Sequence, residues 1–337
     1  MNRLIGVILL LAAMYGLLFW SDPQNAFKWS NLKDVLSQQA FFGVLTVGVG
    51  VVILTGGIDL SIGSVVGFSA ILFGVLMRNG VPPFVAAAAV LACGVVIGAI
   101  NAGLITGLKL QPFLVTLCGL FVYRGAARML SPGLPVGIQQ ILGANPEARG
   151  QLESLRSILI GKDMTGELGF PMQLVVLLVV AVVVGVVVHA SVYGRYWYAL
   201  GHNEQAARYA GISTGRHKFA VYVMCSTLAS LGGILTLLDY SSSTAETAGE
   251  TWELYAITGA VLGGCSLRGG EGSVWGMVLG AAVLPLLKNL ISFVGSVPWV
   301  LRNLKSVDPV IPALIGLTLL VGTIVDEFFR RRAKAVR

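Results

Sequence analysis

The sequence predicts an all-α membrane protein with about ten transmembrane helices. Of its 337 residues, 55% are hydrophobic and only 12% are charged, and the mean hydropathy is +0.82. Soluble domains carry about 25% charged residues, and a water-soluble chain this apolar would expose large adhesive surfaces. The 43 glycines fit the same class, because helices pack closely in lipid through small residues.

The individual helices follow from the apolar runs, since a helix needs about 20 apolar residues to cross a bilayer. Several runs are short and lie beside Gly-rich turns, which indicates broken or re-entrant helices. The first run lacks small residues at its end, so we interpret it as a retained helix rather than a cleaved signal peptide. The ten predicted segments are residues 4–20, 41–55, 61–77, 84–107, 112–130, 171–190, 218–239, 253–267, 273–293 and 309–329.

Charged residues between these segments predict the orientation, because cytoplasmic loops collect Lys and Arg. Residues 190–218 are rich in basic side chains, as is the tail at 330–337, so both are expected in the cytoplasm. Residues 239–253 carry acids and no basic residue, which places them outside. Ten crossings with both termini cytoplasmic satisfy all three assignments, within one transmembrane domain spanning residues 1–337.

Composition and motifs exclude several other classes. The net charge of +7 reflects basic membrane loops, since no basic stripe with interleaved aromatics indicates nucleic-acid binding. No P-loop is present, the three histidines have no partner at metal-ligand spacing, and no catalytic constellation is visible. The chain is therefore predicted to be neither an enzyme nor a metal-binding or cofactor-binding protein.

A weak internal repeat links two Gly-rich stretches. Residues 56–67 resemble residues 263–276, and an asparagine falls late in each following helix, at Asn101 and Asn289. Transporters are often built from two such halves, so an inverted repeat is one interpretation. Chance similarity between Gly-rich stretches is the other, and the sequence does not decide between them.

Polar residues inside apolar runs are candidates for function. Asn101 and Asn289 are predicted to line a solute pathway, with ordinary interhelical hydrogen bonding as the equal alternative. Arg124 and Arg128 share one helix face, and the sequence favours the interpretation that they extend toward the water at the helix end.

Three stretches resemble the permeases of bacterial ATP-binding-cassette importers for ribose, xylose, galactosides and related solutes. They are the Gly-Gly-Ile-Asp-Leu-Ser-Ile-Gly run at 56–63, the segment 194–217, and the Gly-rich run at 261–272. Branched-chain amino acid permeases are more distant relatives. Tyr255 departs from the acid that usually follows Glu253-Leu254, and residues 136–170 and 300–312 look extended, which leaves the solute open.

The resemblance implies a permease subunit of the inner membrane that imports a small sugar or sugar-like solute. It implies a second permease subunit, a separate ATPase that holds ATP and magnesium, a periplasmic solute-binding protein and surrounding lipid as partners. Segment 194–217 would be the cytoplasmic coupling loop. The pathway or gate would include Gly56, Gly57, Asp59, Ser61 and Gly63. A stand-alone secondary transporter or channel remains the alternative, although it would typically need an ionisable group buried in the membrane.

Within the coupling loop, residues 201–211 predict a short helix that contacts the ATPase. Asn203 is a good N-cap, and Glu204 suits the positive end of the helix dipole. Ala206 and Ala207 offer a smooth surface for docking, and Gly211 can end the helix in a left-handed conformation. Gly201 precedes the cap. An amphipathic helix resting on lipid headgroups is the alternative.

Overall fold

A computed structural model of the chain describes residues 2–21, 23–162 and 169–294, together with positions 313, 316, 317 and 320. Regular structure in these residues is almost entirely helical, so the all-α prediction is confirmed. The first eight helices are α1 (Asn2–Ser21), α2 (Pro23–Ala26), α3 (Trp29–Leu54), α4 (Ile62–Arg78), α5 (Pro83–Thr106), α6 (Pro112–Leu130), α7 (Ile138–Ala144) and α8 (Arg149–Leu159).

The chain continues with α9 (Met172–Gly185), which runs into a π-helical turn at Val186–Ala190. Two short strands, β1 (Val136–Gly137) and β2 (Ser242–Ser243), pair antiparallel, and a 3₁₀ turn occupies Pro146–Ala148. The remaining helices are α10 (Val192–His202), α11 (Glu204–Tyr209), α12 (Thr214–Tyr240), α13 (Trp252–Leu262), α14 (Val274–Ala281) and α15 (Val283–Val294).

Six helical stretches in the described residues are long and apolar enough to cross a membrane. Two shorter apolar helices, Leu4–Trp20 and Ile62–Arg78, add to them. The chain is thus a multi-pass membrane protein. Of the predicted tenth segment, 309–329, only four single positions are described. The six long stretches are Trp29–Leu54, Pro83–Thr106, Pro112–Leu130, Met172–Ala190, Thr214–Tyr240 and Val274–Ser292.

Several predicted boundaries are wrong, and the reasons are local. The segment predicted at 41–55 begins at Trp29, because the polar residues before Phe41 belong to the same helix. The segment predicted at 253–267 is an 11-residue helix that stops at Gly263. The segment predicted at 273–293 is interrupted between Ala281 and Val283, since Pro285 supplies no backbone N–H to continue the helix.

Helices α3 and α12 form the centre of the molecule. Most of α3 from Ala40 onward is buried, and α12 packs against α3, α4 and α5. Helices α5, α6 and α9 surround them and expose large apolar side chains such as Ile100, Phe121 and Val182. Such faces are suited to lipid or to a second subunit.

The repeated Gly-rich stretches form two hairpins that run in the same direction. In α3 and α13, Phe42 contacts Trp252, Thr46 contacts Gly259, and Leu54 accepts a hydrogen bond from the Gly270 N–H at 2.9 Å. Because these contacts advance together along both helices, the two turns lie at the same end. The matched stretches are therefore not inverted, and that part of the repeat prediction is wrong.

The two ends of the helix bundle have different structures. The junction end carries the two Gly-rich turns and α11. The sheet end carries β1 and β2, with α7 and α8 folded over it. There Arg156 donates from Nε to the Leu238 carbonyl at 3.0 Å, and Lys162 pairs with Asp239 at 2.6 Å. The extended segment noted in the sequence thus secures the C-terminal end of α12, although residues 163–168 lie outside the described residues.

Candidate functional site

Four glycines from three distant segments meet at the junction end, and we call them the glycine junction: Gly56, Gly201, Gly269 and Gly270. A Cβ on Gly269 would lie 2.8 Å from the Gly56 Cα and 3.0 Å from the Gly201 Cα. Gly56, Gly269 and Gly270 also have left-handed φ angles of 78°, 86° and 76°. Only glycine provides both the close approach and this backbone conformation at low cost. The junction joins both Gly-rich turns to the segment predicted to couple.

The coupling segment has the local structure that the sequence predicts. The Asn203 side chain accepts a hydrogen bond from the Ala206 N–H at 3.0 Å and so caps α11. Gly211 is left-handed, with φ of 83°, and the Ile212 N–H bonds the Ala207 carbonyl at 3.0 Å. This pattern ends a helix with its last carbonyls satisfied.

The exposed face of α11 does not contain both of the predicted alanines. Ala207 is only 4% exposed and packs against the chain itself, whereas Ala206 is exposed and Tyr209 is 90% exposed. Glu204 lies between Arg208 and Lys218, at 3.4 and 2.6 Å. The exposed surface of α11 therefore includes Ala206 and Tyr209, and the prediction that Ala207 shares it is wrong.

The second Gly-rich turn, residues 263–273, is bound to the segment before α11. Tyr198 of α10 donates to the Gly272 carbonyl at 2.8 Å, and the Val274 N–H bonds Nε2 of His189 at 3.2 Å. Burial raises the pKa of the Tyr198 phenol, so the hydroxyl keeps the proton that it donates. Tyr198 and His189 thus link this turn to α10 and to the π-helical turn before it.

The first Gly-rich turn, residues 55–61, leaves the junction end and extends into the molecule. Gly56 approaches Gly201, yet Gly63 in the first turn of α4 packs against Gly249 and Glu253, which belong to the sheet-end half of the hairpin. Residues 57–61 therefore run into the bundle without helical structure, and α4 begins inside it.

A buried chain of hydrogen bonds surrounds the start of α4. Asp59 Oδ1 accepts from the Ser61 N–H at 2.8 Å and from Ser61 Oγ at 2.7 Å. Asn101 donates to Ser61 Oγ at 3.3 Å, and Tyr123 donates to Asn101 Oδ1 at 2.8 Å. We call Asp59, Ser61, Asn101 and Tyr123 the polar network. The sequence predicted the first three for one pathway and missed Tyr123.

Asp59 is enclosed in protein, with 1% of its surface exposed. Its Oδ2 atom accepts no hydrogen bond from an N–H or O–H group, and the weakly donating thiol of Cys225 lies beside it. No ion pair to Asp59 occurs within the described residues. The bundle therefore encloses a carboxylate, the kind of group that a stand-alone secondary transporter would typically need.

Two more hydroxyl groups hold the first turn in place. Thr116 of α6 and Tyr222 of α12 each donate to the Ile58 carbonyl at 3.3 Å. Thr116 and Tyr123 are seven residues apart, so they lie on one face of α6. This polar pair within an apolar run is the signal that sequence reasoning overlooked.

Arg124 is directed into the protein rather than toward the helix end. Its Nη2 donates to the Gly249 carbonyl at 3.2 Å, and its Nε is buried without a hydrogen-bond partner. The Glu253 carboxylate packs over Gly63 nearby and is 8% exposed. Arg128 is exposed near the end of α6, as predicted. The interpretation that both arginines reach for water is thus wrong for Arg124.

Asn289 lies apart from the polar network. Its side-chain amide pairs with that of Asn31 at the start of α3, with an N–O distance of 3.3 Å for the bond donated by Asn31. The two predicted asparagines therefore occupy different places. Within the described residues, no three His, Cys, Asp or Glu side chains are grouped to hold a metal ion.

Residues 31–322 match the family model described as the permease component of the branched-chain amino acid transport system. The chain belongs to this permease family. It is 33% identical to the ribose import permease protein RbsC of Escherichia coli (strain K12) over 314 residues, covering 93% of this chain and 92% of the relative. No solved structure matches the chain.

Other relatives of this permease are named for the import of different solutes. The fructose import permease protein FrcC of Rhizobium meliloti is 30% identical over 333 residues, covering 97% of this chain and 85% of the relative. The autoinducer 2 import system permease protein LsrD of Enterobacter sp. (strain 638) is 29% identical over 331 residues, covering 98% of each. The family match includes the glycine junction, the polar network and α11.

Proposed function

We propose that this permease is the membrane-spanning subunit of an ATP-binding-cassette importer that moves a small sugar or sugar-like solute by alternating access. The observation that carries the proposal is the glycine junction, which connects an exposed surface helix to a non-helical segment deep in the bundle. ATP and magnesium belong to a partner ATPase, a solute-binding protein delivers the solute, and a second permease subunit, identical or not, completes the pathway. The names of the relatives support a sugar-like solute.

The pathway and gate are assigned to Gly56, Gly57, Asp59, Ser61, Gly63 and Asn101. Asp59, Ser61 and Asn101 are buried, so the structure corresponds to a state in which this stretch is closed to water. Movement of α10 and α11 shifts the glycine junction and with it the attached residues 57–61. Asn289 is retained as a pathway candidate only for a second region near Asn31.

The proposed topology has ten crossings with both termini in the cytoplasm, in the inner membrane of a bacterium. The junction end, with α11, then faces the cytoplasm, and the sheet end faces outward. Ser242→Cys and Ala335→Cys should react with an impermeant maleimide from opposite sides of the membrane. Reaction of both from the same side would refute the topology.

Coupling is tested on the exposed face of α11. Ala206→Glu should weaken ATPase binding at least tenfold, because it places a charge in the docked surface. Gln205→Glu, at an exposed neighbouring position, is the matched control and should bind normally. Co-purification of the ATPase with each variant, together with solute-stimulated ATP hydrolysis in proteoliposomes, measures the effect. Normal coupling by Ala206→Glu would remove α11 from the ATPase contact.

The buried carboxylate of Asp59 favours one alternative, a secondary transporter driven by an ion gradient. The two functions predict different energy sources. Uptake by the proposed importer stops with vanadate, which blocks ATP hydrolysis, and continues when a protonophore is added to proteoliposomes loaded with ATP. The opposite pattern would establish the alternative.

A further inference from the structure

A cleft with a mixed polar and apolar lining opens at the sheet end, between the end of α12 and the start of α13. Its volume is about 240 Å³, and its lining residues include Thr236, Ser243, Thr244, Thr247 and Trp252. The Thr236 hydroxyl donates to the Gly232 carbonyl, and the Thr244 and Thr247 hydroxyls bond each other at 2.6 Å. At about 30 Å³ for each water, this space holds roughly eight waters or one sugar ring. The cleft lies opposite α11, on the face that the proposed topology turns outward.

The chemistry of the lining selects the kind of ligand. Hydroxyl groups both donate and accept hydrogen bonds, as the hydroxyls of a sugar do. The described lining contains no charged side chain, so it offers no partner for the ammonium and carboxylate groups of an amino acid. Desolvating those charges without a partner would be unfavourable. A neutral, polyhydroxylated ring is the ligand that this lining fits.

Trp252 is held in a fixed position at one side of the cleft. Its ring makes edge contacts with Phe41 and Phe42, with centroid distances of 4.9 and 5.8 Å. It remains partly exposed, so it presents a rigid apolar surface. A sugar ring can pack its C–H face against such a surface while its hydroxyls meet the opposite lining.

The backbone of the lining segment is held in an unusual conformation at both ends. Ser241 and Thr251 have left-handed φ angles of 61° and 63°, and they are two of the three non-glycine residues with positive φ in the described chain. A β-branched residue such as Thr251 rarely adopts this conformation. Strain of this kind concentrates at ligand clamps and switch regions, because the surrounding structure must maintain it.

The cleft also connects to the proposed pathway. The Ala248 and Gly249 carbonyls lie against Gly67 and Gly63 of α4, where a Cβ would overlap them. A ligand that shifts residues 242–250 therefore acts directly on the helix that begins at the polar network.

From this combination we propose that the cleft is a solute subsite for one neutral sugar ring, occupied when the solute enters from the sheet end. The inference rests on the proposed function and extends it by naming the site and the ligand class. It differs from the polar network, which lies deeper and contains a carboxylate.

The test uses the full chain in membranes with Thr247→Cys, whose side chain is exposed in the cleft. The control is Ser154→Cys, which is exposed on α8 at the same end but outside the cleft. Both are made in a chain carrying Cys118→Ser, since Cys118 is the exposed native cysteine in the described residues. The rate of reaction with an impermeant maleimide is measured with 200 mM D-ribose, D-fructose, D-xylose or L-leucine.

At least one of the sugars should slow labelling of Thr247→Cys fivefold or more, while L-leucine leaves it unchanged and Ser154→Cys is unaffected by any solute. Labelling of Thr247→Cys that none of the three sugars slows, or that only L-leucine slows, would overturn the subsite. Uptake of the same sugars by the complete importer is measured separately. Uptake without protection rejects the cleft and leaves the proposed function intact, whereas protection without uptake rejects the proposed function and retains the cleft.

Discussion

The two Gly-rich turns look alike in sequence but differ in structure. The turn at 263–273 stays at the junction end, and Tyr198 and His189 bind it to the coupling segment. The turn at 55–61 leaves the junction and carries Asp59 into the bundle, where the polar network begins. Under the proposed function, the second turn receives movement and the first acts on the solute. A shared motif can position two segments together without giving them the same role.

The largest effect should come from removing the glycine geometry of either turn. Gly57→Val places a branched side chain within 2.6 Å of the Tyr222 hydroxyl, and Gly270→Val places one on His202 at a left-handed φ of 76°. Each should lower uptake more than 100-fold with the chain still inserted in the membrane. Gly103→Val is the control, because no atom lies within 4 Å of a Cβ there. Normal uptake by Gly57→Val would remove the gate from the first turn.

Asp59→Asn separates the charge of the first turn from its shape. The amide oxygen can still accept from Ser61, so the midpoint of thermal unfolding should change by only a few degrees. Uptake should fall about tenfold if the carboxylate takes part in transport, because a charge in this region is rarely kept without a function. Asp59→Leu should instead lose stability by about 1–3 kcal/mol, since the Ser61 donors lose their acceptor. Uptake that is unchanged in Asp59→Asn would make the carboxylate purely structural.

The asparagines that follow the two turns give a direct comparison. Asn101→Ala leaves Ser61 and Tyr123 without their shared partner, so it should cost about 1–3 kcal/mol of unfolding free energy and reduce uptake. Asn289→Ala breaks only the pair with Asn31 and should cost about 0.6 kcal/mol, typical of a polar contact between membrane helices. A double-mutant cycle with Asn31→Ala checks the second value. Equal losses of uptake would return Asn289 to the pathway.

The loss of a single hydrogen bond at the second turn should have a much smaller effect than Gly270→Val. Tyr198→Phe removes one hydrogen bond to Gly272 and should cost about 0.5–1.5 kcal/mol. Because α10 connects this turn to α11, the variant should also lower the ratio of solute moved to ATP hydrolysed. Tyr193→Phe, at an exposed position on the same helix, is the control. An unchanged ratio would show that Tyr198 only stabilises the turn.

The sequence predicted features that depend on local chemistry. The Asn203 cap and the left-handed Gly211 are properties of a few neighbouring residues, and both are present in the structure, although α11 is shorter than the predicted 201–211 and Gly201 belongs to α10. Membership of the permease family also followed from three short stretches. The joining of Asp59, Ser61 and Asn101 was anticipated, although only as part of one pathway.

Features that depend on packing between distant residues were missed. Arg124 was assigned to water because nothing adjacent in sequence reveals its contact with Gly249. Ala207 was assigned to a partner because nothing adjacent reveals that it packs against the protein itself. The direction of the repeat was also undetermined, since a motif carries no sign of which way its helix crosses the membrane. Predicting these features would require knowledge of contacts between residues more than 100 positions apart, or of the residues that bury one side of a short helix.

Because α4 begins inside the bundle, the polar network lies close to the residues of the sheet end. A bilayer presents about 30 Å of hydrocarbon to a polar molecule. Here Gly63 already contacts Gly249 beside the cleft, and Ser61 of the polar network is two residues away from it. Only two residues along the chain therefore separate Ser61 from the residue that packs against Gly249. A local movement of residues 242–250 would reach the polar network without a rearrangement across the whole membrane.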